Sequence, residues 1–221
     1  MRIERLKIFT PGIKRQKKFY KEILGLEIQN EDSRSFEVAF GFSILKFIQR
    51  EGATPYHIAI HIPDRKEKEA WEWLSKRVKI LKDGDEEIID FSNWNARSVY
   101  FYDEDLNIME LISRRDFFKS GSSGFSSQSF LGIAELGLVT KDISQKFQFL
   151  KEHCKLEVYA GNFEKFCAIG DDEGLLITIN KDLKDWFPTD DKAFPSEFSI
   201  SFRKDGKSYQ ILFEEDQLQL K

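Results

Sequence analysis

The chain has 221 residues, 41% of them apolar and 21 of them Phe, enough for one large domain or two small ones with a substantial core. Its 34 basic and 38 acidic residues are interspersed and leave a net charge of −4, so no basic face is available for nucleic acid. No apolar run approaches the roughly 18–20 residues that span a bilayer, the opening Met1-Arg2-Ile3-Glu4-Arg5 lacks a signal-peptide core, and Cys154 and Cys167 make a weak case for a disulfide framework. The expectation is a cytoplasmic protein, monomer or homodimer, with two reduced and buried thiols.

In chain order, residues 3–9 alternate and predict a short strand. Ile13, Phe19, Tyr20 and Ile23 then cluster at helical spacing, which predicts a helix over 13–24 with Gly25 as its stop. Strands are expected at 27–30, 35–39 and 43–49. A second unit of the same order follows. It has a strand at 57–62, a charge-rich helix over 64–77 with Ala70, Trp71 and Leu74 on its apolar side, and strands at 87–90, 99–102 and 107–112. Residues 113–130 contain Ser-Gly-Ser-Ser-Gly and read as a linker.

Beyond the linker the chain repeats its beginning at an offset of 130: Leu6 and Leu136, Thr10 and Thr140, Phe19 and Phe149, Leu26 and Leu156, and at the far end Phe36 and Phe166. A strand at 133–139 leads to a helix for which Asp142 is a good N-cap, with Phe147 and Leu150 on the buried side. The tail departs from this plan. Two strands, 197–202 and 208–213, are joined through Lys204-Asp205-Gly206-Lys207 with no room for a helix. The expected fold is α+β: three full βαβββ modules and a terminal hairpin. Two modules occupy residues 1–115, a Gly/Ser-rich linker 116–130, and one module plus the hairpin 131–221.

Two strands carry chemistry. One opens Tyr56-His57-Ile58-Ala59-Ile60-His61, and the other closes Asn107-Ile108-Met109-Glu110-Leu111-Ile112 after the acidic turn Asp103-Glu104-Asp105-Leu106-Asn107. An imidazole and a carboxylate are natural ligands for a divalent metal, and Glu110 in an apolar strand is expensive to bury without a partner. With the modular plan, these segments resemble the vicinal oxygen chelate superfamily of glyoxalases, bleomycin-resistance proteins and extradiol dioxygenases. The acidic turn departs from the family's pattern, lacking its Pro and Gly. The resemblance implies metal ligands at the first and last strands of an even module, here His57 and Glu110, and one more from the first strand of an odd module. In module one that position is Arg5, which cannot ligate; in module three it is Glu135. The implied metal triad is therefore His57, Glu110 and Glu135, with ligating atoms within about 3–4 Å of one another. Arg5 is expected to mark a degenerate counterpart with Glu197 and Gln210, pairing with Glu197.

His61 shares a face with His57 but lies about 13 Å along the strand, too far to serve the same ion. His153 falls among charged helix residues and reads as surface. Trp186 and Phe187 are candidates either for lining the cavity or for plain core packing. Tyr56, Tyr100 and Tyr102 lie near the site in sequence, and none can be singled out as a general base.

What the resemblance implies about function is a metal-dependent enzyme, of isomerase or lyase type, acting on a small oxygenated molecule by Lewis-acid catalysis. One nitrogen and two carboxylates favour Mn, Mg, Zn, Ni or Fe over the two-histidine set typical of oxygen-activating iron. Two alternatives stand beside this: a metal-free protein that sequesters a small ligand, as in drug resistance, and an extradiol-type dioxygenase.

Overall fold

The computed structural model describes residues 1–115, 117–118 and 124–221. Most of the Ser-Gly-Ser-Ser-Gly stretch expected as linker lies outside the described residues. The first unit runs β1 (Arg2–Thr10), α1 (Ile13–Lys18) continued by a π-helical turn (Phe19–Ile23), β2 (Ile28–Gln29), β3 (Ser35–Phe40) and β4 (Ser43–Gln49). The second runs β5 (His57–Ile62), α2 (Glu67–Leu74), β6 (Ile80–Leu81), β7 (Ile89–Phe91), β8 (Ala96–Tyr102) and β9 (Ile108–Arg114). The third is β10 (Gly132–Thr140), α3 (Ile143–Cys154), β11 (Val158–Gly161), β12 (Phe166–Asp171) and β13 (Gly174–Asn180). The tail is β14 (Phe198–Lys204), β15 (Lys207–Glu214) and β16 (Gln217–Leu220), so the expected hairpin carries a third strand.

Local sequence explains most of these boundaries. Asp142 caps α3 by accepting the Gln145 N–H at 2.9 Å. Gly25 stops the first helix at φ +64°, a conformation that costs glycine little. Helix α2 is shorter than expected, because its charge-rich flanks have no apolar surface to bury.

All strands of the described residues join one sheet, with the path β16-β15-β14-β1-β10-β5-β9-β8-β6 at its centre. Within each of the first three units the first and last strands pair in parallel: β1 with β4, β5 with β9, β10 with β13. Between units the first strands pair antiparallel, β10 with β5 and β1 with β14. The second unit thus shares its central strands with the third, and the first unit with the tail. Strands β5, β9 and β10 are buried at every position, in keeping with their place in the middle of the sheet. Tyr20, Phe36 and Phe47 pack together in the main core, with Phe36 and Phe47 stacked at 4.8 Å.

The repeat is visible in the geometry. β1 and β10 begin and end 130 residues apart, as do the starts of α1 and α3. An added residue before β12 then breaks the register. Phe36 faces Phe47, whereas the residue facing the corresponding Thr178 is Cys167. Phe36 therefore corresponds to Cys167, not to Phe166. Both cysteines are buried free thiols, and no helix among the described residues is long and apolar enough to cross a membrane.

Candidate metal centre and cavity

Sheet register brings the sequence-derived ligands together. Ala59 of β5 lies opposite Glu110 of β9 on one side and Glu135 of β10 on the other. His57, two residues before Ala59, shares its face. The start of β5 is fixed by the acidic turn: Asn107 Oδ1 accepts the Tyr56 N–H at 2.8 Å, and Asp103 Oδ1 accepts the N–H groups of Asp105 and Asn107, each at 3.0 Å. Where the family pattern has glycine, Leu106 takes a left-handed φ of 59°.

His57, Glu110 and Glu135 are all buried, and each offers a ligand atom within 4.8 Å of the others. That is slightly wider than expected, since ligands at 2.0–2.2 Å from one ion lie at most about 4.4 Å apart. In a four-coordinate site such ligands lie about 3.3–3.6 Å apart, so side-chain adjustment on the order of an ångström would close the three donors on one divalent ion, whose donor chemistry they fit. His57 Nε2 lies 3.1 Å from Glu110 Oε2, and the Ser98 hydroxyl donates to the other oxygen of Glu110. Arg114 Nη2 donates to Glu135 Oε1 at 2.7 Å, leaving Oε2 to ligate. Burial, reinforced by the charge of Glu110, pushes the Glu135 carboxyl up to about 7, while Arg114 and His57 pull it down. Tyr100 is pushed well above its ordinary range by burial and by both glutamates, so it keeps its proton.

Arg114 was not anticipated. Its guanidinium is buried, with Cζ 5.8 Å from the ring centres of both Trp94 and Tyr159. The sequence pattern ended β9 at Ile112, but the strand runs two residues further and keeps Glu110, Ile112 and Arg114 on one face.

The three ligand candidates line a cavity of about 500 Å³ walled by Phe91, Trp94, Tyr100, Phe166, Trp186 and Phe187. Trp186 and Phe187 thus line the cavity, and Trp186 packs on His57 at 5.1 Å between ring centres. It fits there because Gly137, two residues after Glu135, has no side chain; a Cβ would lie 2.6 Å from the indole. Tyr56 and Tyr102 point elsewhere, donating to the Glu197 carbonyl and to Asp191. His61 accordingly serves structure, with Nε2 3.1 Å from the Glu173 carbonyl, and His153 is exposed.

The counterpart around Arg5 carries a correction. Arg5 does not pair with Glu197. It is half-exposed and donates to Glu37 at 2.9 Å, while Glu197 pairs with Arg50. The reason is register: Arg5 lies opposite Ser201, four residues beyond Glu197, and Glu37 reaches it from β3 across the intervening β4. Gln210 does face this groove, together with Ser199 and Ser201.

No family model and no curated protein matches the sequence itself. Solved structures do match. A candidate dioxygenase from Bacillus subtilis subsp. subtilis strain 168 aligns at a TM-score of 0.59 and 15% identity, over 96% of this chain and 84% of that one. Glyoxalase I from Zea mays aligns at a TM-score of 0.53 and 17% identity, over 81% of this chain and 66% of that one. At such identities the likeness is one of fold, and substrate does not follow from it. The chain has the fold of the vicinal oxygen chelate superfamily.

Proposed function

We propose that this protein is a divalent-metal-dependent enzyme that acts on a small oxygenated molecule by Lewis-acid catalysis, of isomerase or lyase type. The observation that carries this reading is the convergence of His57, Glu110 and Glu135, from three different strands, at the buried end of a cavity. When bound there, a divalent ion polarises a coordinated oxygen and stabilises negative charge developing beside it. Two carboxylates beside one imidazole suit Mn, Mg, Zn, Ni or Fe without selecting among them. Ser98 and Arg114 each hold one carboxylate oxygen, which orients the ligands. Tyr100, which keeps its proton, hydrogen-bonds Glu110 and adds to that orientation, and Trp186 shields His57 from water. The buried free thiols suit a reducing, cytoplasmic setting.

The test is elemental analysis of protein purified without chelator, repeated on His57→Ala and Glu135→Ala. About one equivalent of metal in the parent and none in the variants is expected. A parent that stays metal-free after incubation with each of the five ions excludes the reading.

One observation favours a second reading, a metal-free protein that sequesters a small ligand. Arg114 with Glu135, and His57 with Glu110, already form pairs without an ion. Such a protein would bind its ligand equally well with and without chelator. The dioxygenase alternative is weaker, because the site has one histidine where oxygen-activating iron usually has two.

A further inference from the structure

The cavity has a chemical polarity from end to end. Its inner end holds the two carboxylates, Glu110 and Glu135. Its rim holds two lysines, Lys165 and Lys184, and neither forms an ion pair among the described residues. Backbone hydrogen bonds place these lysines together. The Lys165 carbonyl accepts the Asn180 N–H at 3.0 Å, and the Asn180 carbonyl accepts the Lys184 N–H at 3.0 Å. Between the ends the walls are apolar and largely aromatic, with Ile177, Ile179 and Leu183 among the rings.

The ends are well separated. Glu135 lies opposite Leu175 on β13, and Asn180 closes that strand, so they are about 16 Å apart along it. Both lysine side chains can reach back toward the cavity, which leaves a span on the order of 10 Å for a ligand touching both ends. Unpaired ammonium groups at the mouth draw an anion, whereas at the floor each carboxylate already has a partner, Arg114 on Glu135 and His57 on Glu110, so the rim is where a ligand's anionic group meets uncommitted positive charge.

We propose that the ligand is a flat aromatic acid, seated between the aromatic walls with its anionic group held at the rim by Lys165 and Lys184 and its oxygenated end directed toward His57, Glu110 and Glu135. This names a ligand class for the cavity of the proposed function and rests on that reading for what happens at the inner end. The rim itself does not depend on a metal.

The experiment is calorimetric titration of chelator-treated protein with 6-hydroxy-2-naphthoate and with its neutral analogue 6-hydroxy-2-naphthamide. Two partly exposed ion pairs predict a preference of roughly tenfold for the acid, shrinking as salt is raised. In Lys165→Gln/Lys184→Gln that preference and its salt dependence should vanish, with affinity for the amide unchanged. Unchanged amide binding also shows that the double variant is folded. Equal binding of acid and amide by the parent, a double variant that keeps the preference, or binding of neither probe overturns the proposal. Because the protein is metal-stripped, these results are independent of whether the centre takes a metal.

Discussion

Arg114 donates from Nη2 to Glu135 Oε1 at 2.7 Å, and both side chains are buried. The remaining donors of the guanidinium, Nε and Nη1, make no hydrogen bond among the described residues. Arg114 is held by Glu135, by the rings of Trp94 and Tyr159, and by a longer ion pair from Nη1 to Asp172 at 3.8 Å. It also offsets the repulsion between Glu135 and Glu110, which otherwise favours the protonated acid.

Truncating Arg114 leaves Glu135 as a buried carboxyl without its cation. Arg114→Met should cost about 3–5 kcal/mol of stability. The double change Arg114→Met/Glu135→Gln should recover much of the loss, because no unpaired charge then remains. Urea unfolding of the four proteins of this cycle measures the coupling. Strictly additive losses would show that the pair does not matter.

A contrast between the two halves of the molecule tests the ligand assignment. Glu135 and Arg5 are equivalent by the 130-residue offset, but only Glu135 faces a second carboxylate and an imidazole. Glu135→Ala should abolish tight Mn²⁺ or Zn²⁺ binding, and Arg5→Ala, a half-exposed change, should leave it untouched. Calorimetric metal titration of both variants distinguishes them. Loss of binding in Arg5→Ala would contradict the assignment.

How much of this was legible in the chain depends on the kind of signal. His57 and Glu110 could be found through the family resemblance, and the 130-residue offset carries the same resemblance to Glu135; the sheet register then brings the three together. Arg114 could not be found in this way. It stands beside Arg115 just before a Ser/Gly-rich stretch, where a basic residue reads as solvent-facing, and only the two extra residues of β9 turn it inward. The partner of Arg5 was missed because Glu37 reaches it from another strand, a contact that no single-strand pattern encodes. Trp186 lies in the connection between β13 and β14, whose path over the cavity leaves no periodic trace.

Gly137 provides a third test, since its missing side chain makes room for Trp186. Gly137→Val would drive a side chain into the indole, 2.6 Å from where a Cβ would sit. Overpacking of this kind costs about 1–3 kcal/mol. Displaced from His57, Trp186 should become more exposed and its fluorescence should shift to the red. The shift should be absent when the same change is made in a Trp186→Phe background. An unshifted spectrum in Gly137→Val would show that Trp186 is not held by this contact.

Leu106 sits in the acidic turn at φ 59° and is 60% exposed. A left-handed non-glycine residue carries a conformational cost of about 1–2 kcal/mol, part of which glycine returns as entropy in the unfolded chain. Leu106→Gly should therefore stabilise the protein by about 0.5–1 kcal/mol, measured as a higher urea midpoint at unchanged slope. Destabilisation would mean that the leucine side chain contributes more by packing than its exposure suggests.

His61 sets a pH dependence whose sign can be worked out. Burial pushes its imidazole down to about 3; the nearby Arg114 adds to this, and the hydrogen bond to the Glu173 carbonyl opposes it. In the unfolded chain the same histidine titrates near 6.5. Below that pH the unfolded state binds a proton that the folded state refuses, so stability is lost as pH falls from about 6.5 toward 3. The slope approaches about 1.4 kcal/mol per pH unit. Glu135 and Asp103 act in the opposite sense, since their raised pKa values of about 7 and about 6 let the folded state protonate first. The whole protein therefore reports only the balance, and a comparison is needed. His61→Gln keeps a donor for the Glu173 carbonyl and cannot titrate, while Glu135 and Asp103 are common to both proteins. Between pH 6 and 4 the variant should lose stability less steeply than the parent, by up to about 1.4 kcal/mol per pH unit. Parallel stability curves over that window would show that His61 is protonated in the folded state, against its burial beneath Phe117 and Phe118.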